Sequence, residues 1–182
     1  MSIDNLDSTT PKQWQSRGQL KTLLGHSIFV VDEGAETLPT IVLLHGFPTA
    51  SWDWVPIWQA LSRNYRLIAL DMLGFGLSEK PNHRNYTIHQ QADIVEALIK
   101  DRQLKKLHVL AHDYGDTVAQ ELLARQVEGS GEGAWLSCCF LNGGLFPETH
   151  RALLTQNRGP GPRECGGRCC AARRIRNRCA AV

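Results

Sequence analysis

Apolar residues along this chain fall into two kinds of run. Thr40–Leu44 and residues 65–70, 107–110 and 135–141 are short, aliphatic or β-branched, and almost free of alternation. That is the pattern of strands buried on both faces. Between them, apolar positions recur at helical spacing: Trp54, Ile57, Trp58 and Leu61; then Ile88, Ala92, Val95 and Leu98; then Val118, Ala119, Leu122 and Leu123. Ser51 and Thr87 stand where they can cap the first two helices, and the third is predicted over residues 115–127. Ahead of these lie two shorter strand patterns, residues 19–24 and 26–31, turned at Gly25. Strands alternating with helices predict an α/β fold, a mostly parallel sheet with helices on both faces, and the leading hairpin adds an antiparallel edge. Ligands bind such sheets at the carboxyl ends of the strands. His45, Asp71, Asp113 and Asn142 fall at those ends.

The pattern fails at both extremities. Residues 1–18 are polar and expected as a loose arm. A helical pattern restarts over residues 149–156 and stops mid-element. Residues 157–182 hold seven arginines, a single acid (Glu164) and four of the six cysteines, with Ile175 and Val182 as their only large aliphatic residues. Such a segment has too little apolar surface to order itself. The abrupt change after Gln156 is expected to reflect a truncated or frame-shifted reading. The domain expected to fold is therefore residues 19–156.

Charge changes the picture once it is divided. The chain's net +2 is the sum of +6 in residues 157–182 and −4 in residues 1–156. The folded part is mildly acidic, which gives no basic surface for nucleic acid. No apolar run is long enough to cross a bilayer, and the N-terminus lacks a signal-peptide pattern, so a cytoplasmic location without membrane association is expected. The tail cysteines match no zinc-ligand spacing and have no histidine beside them. No metal and no cofactor are expected. Cys138 and Cys139 would point to opposite faces of a strand and not bond to each other.

Three motifs carry candidate chemistry. In Ala111-His112-Asp113-Tyr114-Gly115, a buried strand enters a helix through a turn flanked two residues away by small side chains. Two readings of Asp113 stand side by side: an N-cap of the following helix, or the tip of a strained turn that projects a nucleophile, with aspartate where serine is more usual. His45-Gly46-Phe47-Pro48 breaks the first buried strand and is a turn or an oxyanion loop. In the second case the Phe47 N–H and the Tyr114 N–H would be its donors. Residues Gly74-Phe75-Gly76-Leu77-Ser78 tempt a dinucleotide reading, but Glu79 stands where a third glycine belongs. A rigid turn at the mouth of the site is the better reading.

Taken together, His45-Gly46-Phe47-Pro48 with Trp52 and Trp54, the Asp71 to Pro81 loop, and His112-Asp113-Tyr114-Gly115 resemble the epoxide hydrolase and haloalkane dehalogenase branch of the α/β-hydrolases. Phe146-Pro147-Glu148-Thr149-His150-Arg151 fits the same branch. The resemblance spans roughly residues 20–156 and implies the N-terminal half of an α/β-hydrolase fold. It departs at Tyr114, where epoxide hydrolases usually carry Trp. It implies Asp113 as nucleophile toward a small epoxide or haloalkane, Phe47 and Tyr114 as oxyanion donors, and His45, Gly46, Pro48, His112 and Asn142 lining the bound substrate. It also implies a triad acid and histidine from a C-terminal half not visible in this sequence, so activity is expected to be weak or absent. A non-catalytic binding module on the same scaffold is the alternative. Substrate identity and oligomeric state stay open.

Overall fold

The computed structural model describes residues 9–82 and 86–143. Six strands form one sheet in the order β1-β2-β4-β3-β5-β6: β1 Gln19–Leu23, β2 His26–Glu33, β3 Thr40–Leu44, β4 Arg66–Leu70, β5 Lys106–His112 and β6 Ala134–Leu141. β3, β4, β5 and β6 run parallel, and the β1–β2 hairpin joins β4 antiparallel. The predicted α/β architecture with its antiparallel edge is thus present. The helix expected over residues 149–156 and the tail at 157–182 lie outside the described residues.

The central strands divide their side chains between two cores, because successive residues of a strand face opposite sides. Val42 and Leu44 of β3, Ile68 and Leu70 of β4, and Val30 of β2 face α3 (Ile88–Asp101) and α4 (Tyr114–Glu128). Ile41 and Leu43, Leu67 and Ala69, with Phe29 and Val31, face the other way, toward α1 (Pro11–Arg17) and α2 (Val55–Leu61). Thr87 caps α3 as expected, its side chain accepting from the Gln90 N–H at 3.1 Å.

Four expectations are corrected. The arm expected to be loose over residues 1–18 holds helix α1. Thr10 and Gln13 form a capping box, Pro11 opens the first turn, and Trp14 is buried. Trp14 stacks edge-on against Trp58 with centroids 4.8 Å apart and donates its indole N–H to Ser51 Oγ at 3.0 Å. Arg17 lies over both rings and pairs with Glu33. One tryptophan in a polar stretch has no periodicity, so the helix was invisible to pattern. Ser51, expected as a cap, is instead buried in a 3-10 turn over Ser51–Trp54, where its hydroxyl serves Trp14. β5 is buried on one face only, with His108 and Leu110 partly exposed. β6, expected to be buried, is half exposed: Trp135, Cys138 and Phe140 pack on the first core, while Leu136 and Leu141 face solvent. Among the described residues β6 is an edge strand, with no strand on its far side and no helix over its second face.

A concavity lies at the opposite end of the sheet, between Thr40, Arg66, Leu104 and Lys106. Its two arginines are held in ion pairs. Asp32 takes a two-point bond from Arg66 at 2.9 Å and a third contact from Arg102 at 2.9 Å.

Trp14 is the anchor of α1, so Trp14→Ala is expected to cost about 3 kcal/mol of stability. Urea unfolding of the two proteins checks this. An unchanged midpoint would mean that α1 contributes nothing to the second core.

Candidate functional site

The carboxyl ends of β3, β4, β5 and β6 meet at one rim, and each end is shaped by its own turn. β5 passes into α4 through Asp113, whose backbone is at φ 48° and ψ −108°. Positive φ strains any residue with a side chain. The turn is this tight because Gly115 lies against the end of β3: a Cβ there would come within 2.3 Å of the Leu44 carbonyl oxygen and 2.7 Å of that of His45. Asp113 does not cap α4, since its side chain makes no capping bond. Its carboxylate reaches across to the β3 loop, where Oδ2 accepts the Phe47 N–H at 2.9 Å. The backbone at Asp113 is therefore a strained turn without a side-chain cap.

Gly46 makes that reach possible. A Cβ on it would lie 2.9 Å from His112 Nδ1 and 3.0 Å from Asp113 Cβ, so the β3 loop closes on the Asp113 turn only with glycine there. The Phe47–Pro48 peptide is cis, and the Phe47 and Pro48 side chains face outward. Tyr114 is the first residue of α4, so its N–H sits at the positive end of that helix. His112, Asp113 and Tyr114 are all partly exposed.

His45 departs from its expected place among substrate-lining groups. It is fully buried, with both ring nitrogens engaged: Nδ1–H donates to the Gly46 carbonyl at 2.8 Å, and Nε2 accepts the Met72 N–H at 2.9 Å. Those partners fix the neutral tautomer that carries its proton on Nδ1. Burial lowers its pKa from the ordinary value, opposed by the Gly46 bond and by Asp71. His45 is therefore a clasp between the β3 and β4 loops. Asp71 is a second clasp: Oδ1 accepts the Ser51 N–H and Oδ2 the Leu77 N–H, each at 2.7 Å. The rigid turn expected after Asp71 is present.

Asn142 ends β6 at φ 54° and is exposed at the same rim. The structure thus brings Gly46, Phe47, His112, Asp113 and Tyr114 together, places Asn142 and Pro48 at the margin, and withdraws His45 into the core.

Two residues escaped the sequence. Phe75 stands at the centre of an aromatic wall, with centroids 6.0 Å from Phe47, 5.7 Å from Tyr114 and 5.4 Å from His45. Its only signal was an aromatic between two glycines at a strand end. Asp116 is buried beneath the turn, and its pKa is pushed up to about 6, chiefly by burial and further by Asp113, against the Leu141 N–H, His112 and the Gly143 N–H. Its position three residues after Asp113 places it on the same side of the helix start. Among the described residues no cluster of side chains could hold a metal ion, and no helix is long and apolar enough to cross a membrane.

The His45 clasp has a consequence for acid stability. Its folded pKa lies below the unfolded value, so it contributes stability above the unfolded pKa near 6.5 that is lost as pH falls below it. Replacing it by Gln, which offers an acceptor without titrating in this range, is expected to flatten the fall in melting temperature between about pH 7 and pH 5. An identical slope in His45→Gln would show that another group sets it.

Comparison with known proteins fits this geometry. Residues 39–132 match the family described as alpha/beta hydrolase fold, and the match covers the β3 loop, the β4 loop and the Asp113 turn. The mesoderm-specific transcript homolog protein of Bos taurus is 52% identical over 149 residues, 79% of this chain and 44% of the relative. The chain spans less than half the length of that relative. Among solved structures, haloalkane dehalogenase DbeA from Bradyrhizobium elkani is 28% identical with a TM-score of 0.62, covering 69% of this chain and 41% of that one. A membrane phospholipase A, a bacterial virulence factor, is also 28% identical with a TM-score of 0.67, covering 80% of this chain and 46% of that one. From the tight Asp113 turn, the glycine-dependent closure of the β3 loop on it and the family match over both, the chain belongs to the α/β-hydrolase fold family.

Proposed function

We propose that this chain carries the nucleophile half of a hydrolase that opens an epoxide, a haloalkane or a related small substrate through a covalent ester on Asp113. The observation that carries this reading is the bond from the Phe47 N–H to Asp113 Oδ2 at 2.9 Å. It holds one carboxylate oxygen and leaves Oδ1 to attack.

A carboxylate suits this chemistry because it needs no base to become a nucleophile. Attack by Oδ1 on a saturated carbon forms a C–O bond. In a bromoalkane the C–Br bond breaks and bromide leaves with the electron pair. In an epoxide the ring C–O bond breaks, and the ring oxygen keeps the pair and takes a proton from water. Attack on an acyl ester would instead yield a mixed anhydride, less stable than the starting ester. Aspartate at the turn therefore favours the dehalogenase-like relatives over the phospholipase-like ones as guides to substrate.

The second step adds water to the ester carbonyl. The electron pair of that carbonyl moves onto Oδ2, where the Phe47 N–H stabilises it, with the Tyr114 N–H as the second donor in this reading. Collapse expels the alcohol and restores the carboxylate. Water must lose a proton to a base, the role that the resemblance gives to a histidine later in the family's fold. On this chain alone the ester is expected to accumulate rather than turn over. Phe75, Phe47 and Tyr114 supply an aromatic wall suited to an apolar substrate.

Incubation of the chain with 1-bromohexane or styrene oxide, followed by intact-mass and peptide-mapping mass spectrometry, tests the reading. One covalent adduct on Asp113, absent in Asp113→Ala, is expected. The exposed Cys139 and the four cysteines of residues 157–182 are competing targets, whereas the Cys138 thiol is pushed up to about 12, mainly by burial, and stays protonated. Labelling confined to cysteine would overturn the nucleophile assignment. Reversible binding without any adduct would make the chain a binding module on a hydrolase scaffold.

A further inference from the structure

The Asp113 turn is fastened from below as well as from the front. Leu141, the last residue of β6, uses both sides of its backbone on it. Its carbonyl accepts the Asp113 N–H at 2.9 Å, and its N–H donates to Asp116 Oδ1 at 3.3 Å. Asp116 is fully buried, and its Oδ2 has no well-directed donor among the described residues, although the Gly143 N–H lies close enough to the carboxyl to favour its ionised form. The chain leaves β6 through Asn142 at positive φ and then Gly143, where a Cβ would lie 2.1 Å from that same Oδ2. The exit of β6 is thus folded down onto the Asp116 carboxyl, and only glycine permits it.

A buried acid is costly, and an asparagine would make the Leu141 bond without the charge. The charge needs an explanation, and its neighbourhood supplies one. The titratable groups facing Asp116 are His112 at the end of β5, Asp113 on the turn, and the Cys138 thiol on β6. Of these, Asp113 is the group that reacts in the function proposed above.

We propose that Asp116 is the positioning residue of this site: through the Leu141 backbone it locks the end of β6 to the Asp113 turn, and its negative charge keeps Asp113 aimed and reactive. The inference rests on Asp113 as nucleophile. The ionised carboxyl accepts the Leu141 N–H more strongly than the neutral acid does, and its field adds electron density at Asp113. When Asp116 takes up a proton, at about pH 6, the field is lost and the bond to the Leu141 N–H weakens.

The test is the pH profile of Asp113 labelling by 1-bromohexane, with the Leu141 amide proton shift followed by NMR in the same range. In the unsubstituted chain the labelling rate should fall about tenfold from pH 7 to pH 5, with its break near the pKa of Asp116. Asp116→Asn, which keeps shape and acceptor, should label slowly at every pH without that break, and its Leu141 amide should no longer titrate. Gly143→Ala should slow labelling while keeping the break, because it displaces the carboxyl without removing it. A profile in Asp116→Asn that matches the unsubstituted chain overturns the proposal. Absence of Asp113 labelling in the unsubstituted chain refutes the nucleophile reading instead. In that event a Leu141 amide that titrates near pH 6 only when Asp116 is present upholds the lock, and one that does not titrate overturns it.

Discussion

The contact on which the rest of the site depends is the one between Gly115 and the end of β3. Because no Cβ intervenes, α4 starts against the Leu44 and His45 carbonyls, 2.3 Å and 2.7 Å from where that Cβ would stand. β5 must then turn into α4 within a single residue, and that residue, Asp113, takes a left-handed φ of 48°. A side chain at the apex of such a turn points away from both flanking elements. The strain is held by bonds on either side: Phe47 in front, and Leu141 behind.

The same rim gathers three buried or half-buried aspartates and a buried histidine, and hydrogen bonding sorts them. Asp71 has both oxygens committed to backbone N–H groups of two loops. His45 has both nitrogens committed. Asp113 has one oxygen held and faces outward. Asp116 is buried, which raises its proton affinity against the Leu141 and Gly143 N–H groups. In the proposed reaction Asp113 is the group that reacts, because its neighbours are saturated or sealed. Phe75 adds apolar surface beside it, in ring contact with Phe47, Tyr114 and His45.

Much of this was legible in the residues. Apolar runs without alternation identified β3 and β4, since a strand between two helical layers has no face to leave polar. Helical spacing identified α3 and α4, and the glycine beside Asp113 pointed to the turn. Where reading failed, the reason lay in tertiary context. Helix α1 owes its place to Trp14 and Arg17 meeting Trp58 and Glu33, residues far apart in sequence. β6 has the composition of a core strand, but among the described residues it has a neighbour on one side only, so its apolar residues are half exposed. His45 looked like a ligand-facing group because it ends a strand, yet the acceptor it offers Met72 is fixed by a loop near Asp71. Asp116 gave no pattern, since its importance arises from the exit of β6 at Gly143.

The account's central claim is that one oxygen of Asp113 is held and the other reacts. A crystal structure of the chain after exposure to 1-bromohexane tests it most directly. The account predicts a hexyl ester on Asp113 Oδ1, with Oδ2 still within hydrogen-bond distance of the Phe47 N–H. An alkyl group on Oδ2, or an unmodified Asp113 beside alkylated cysteine, would contradict it.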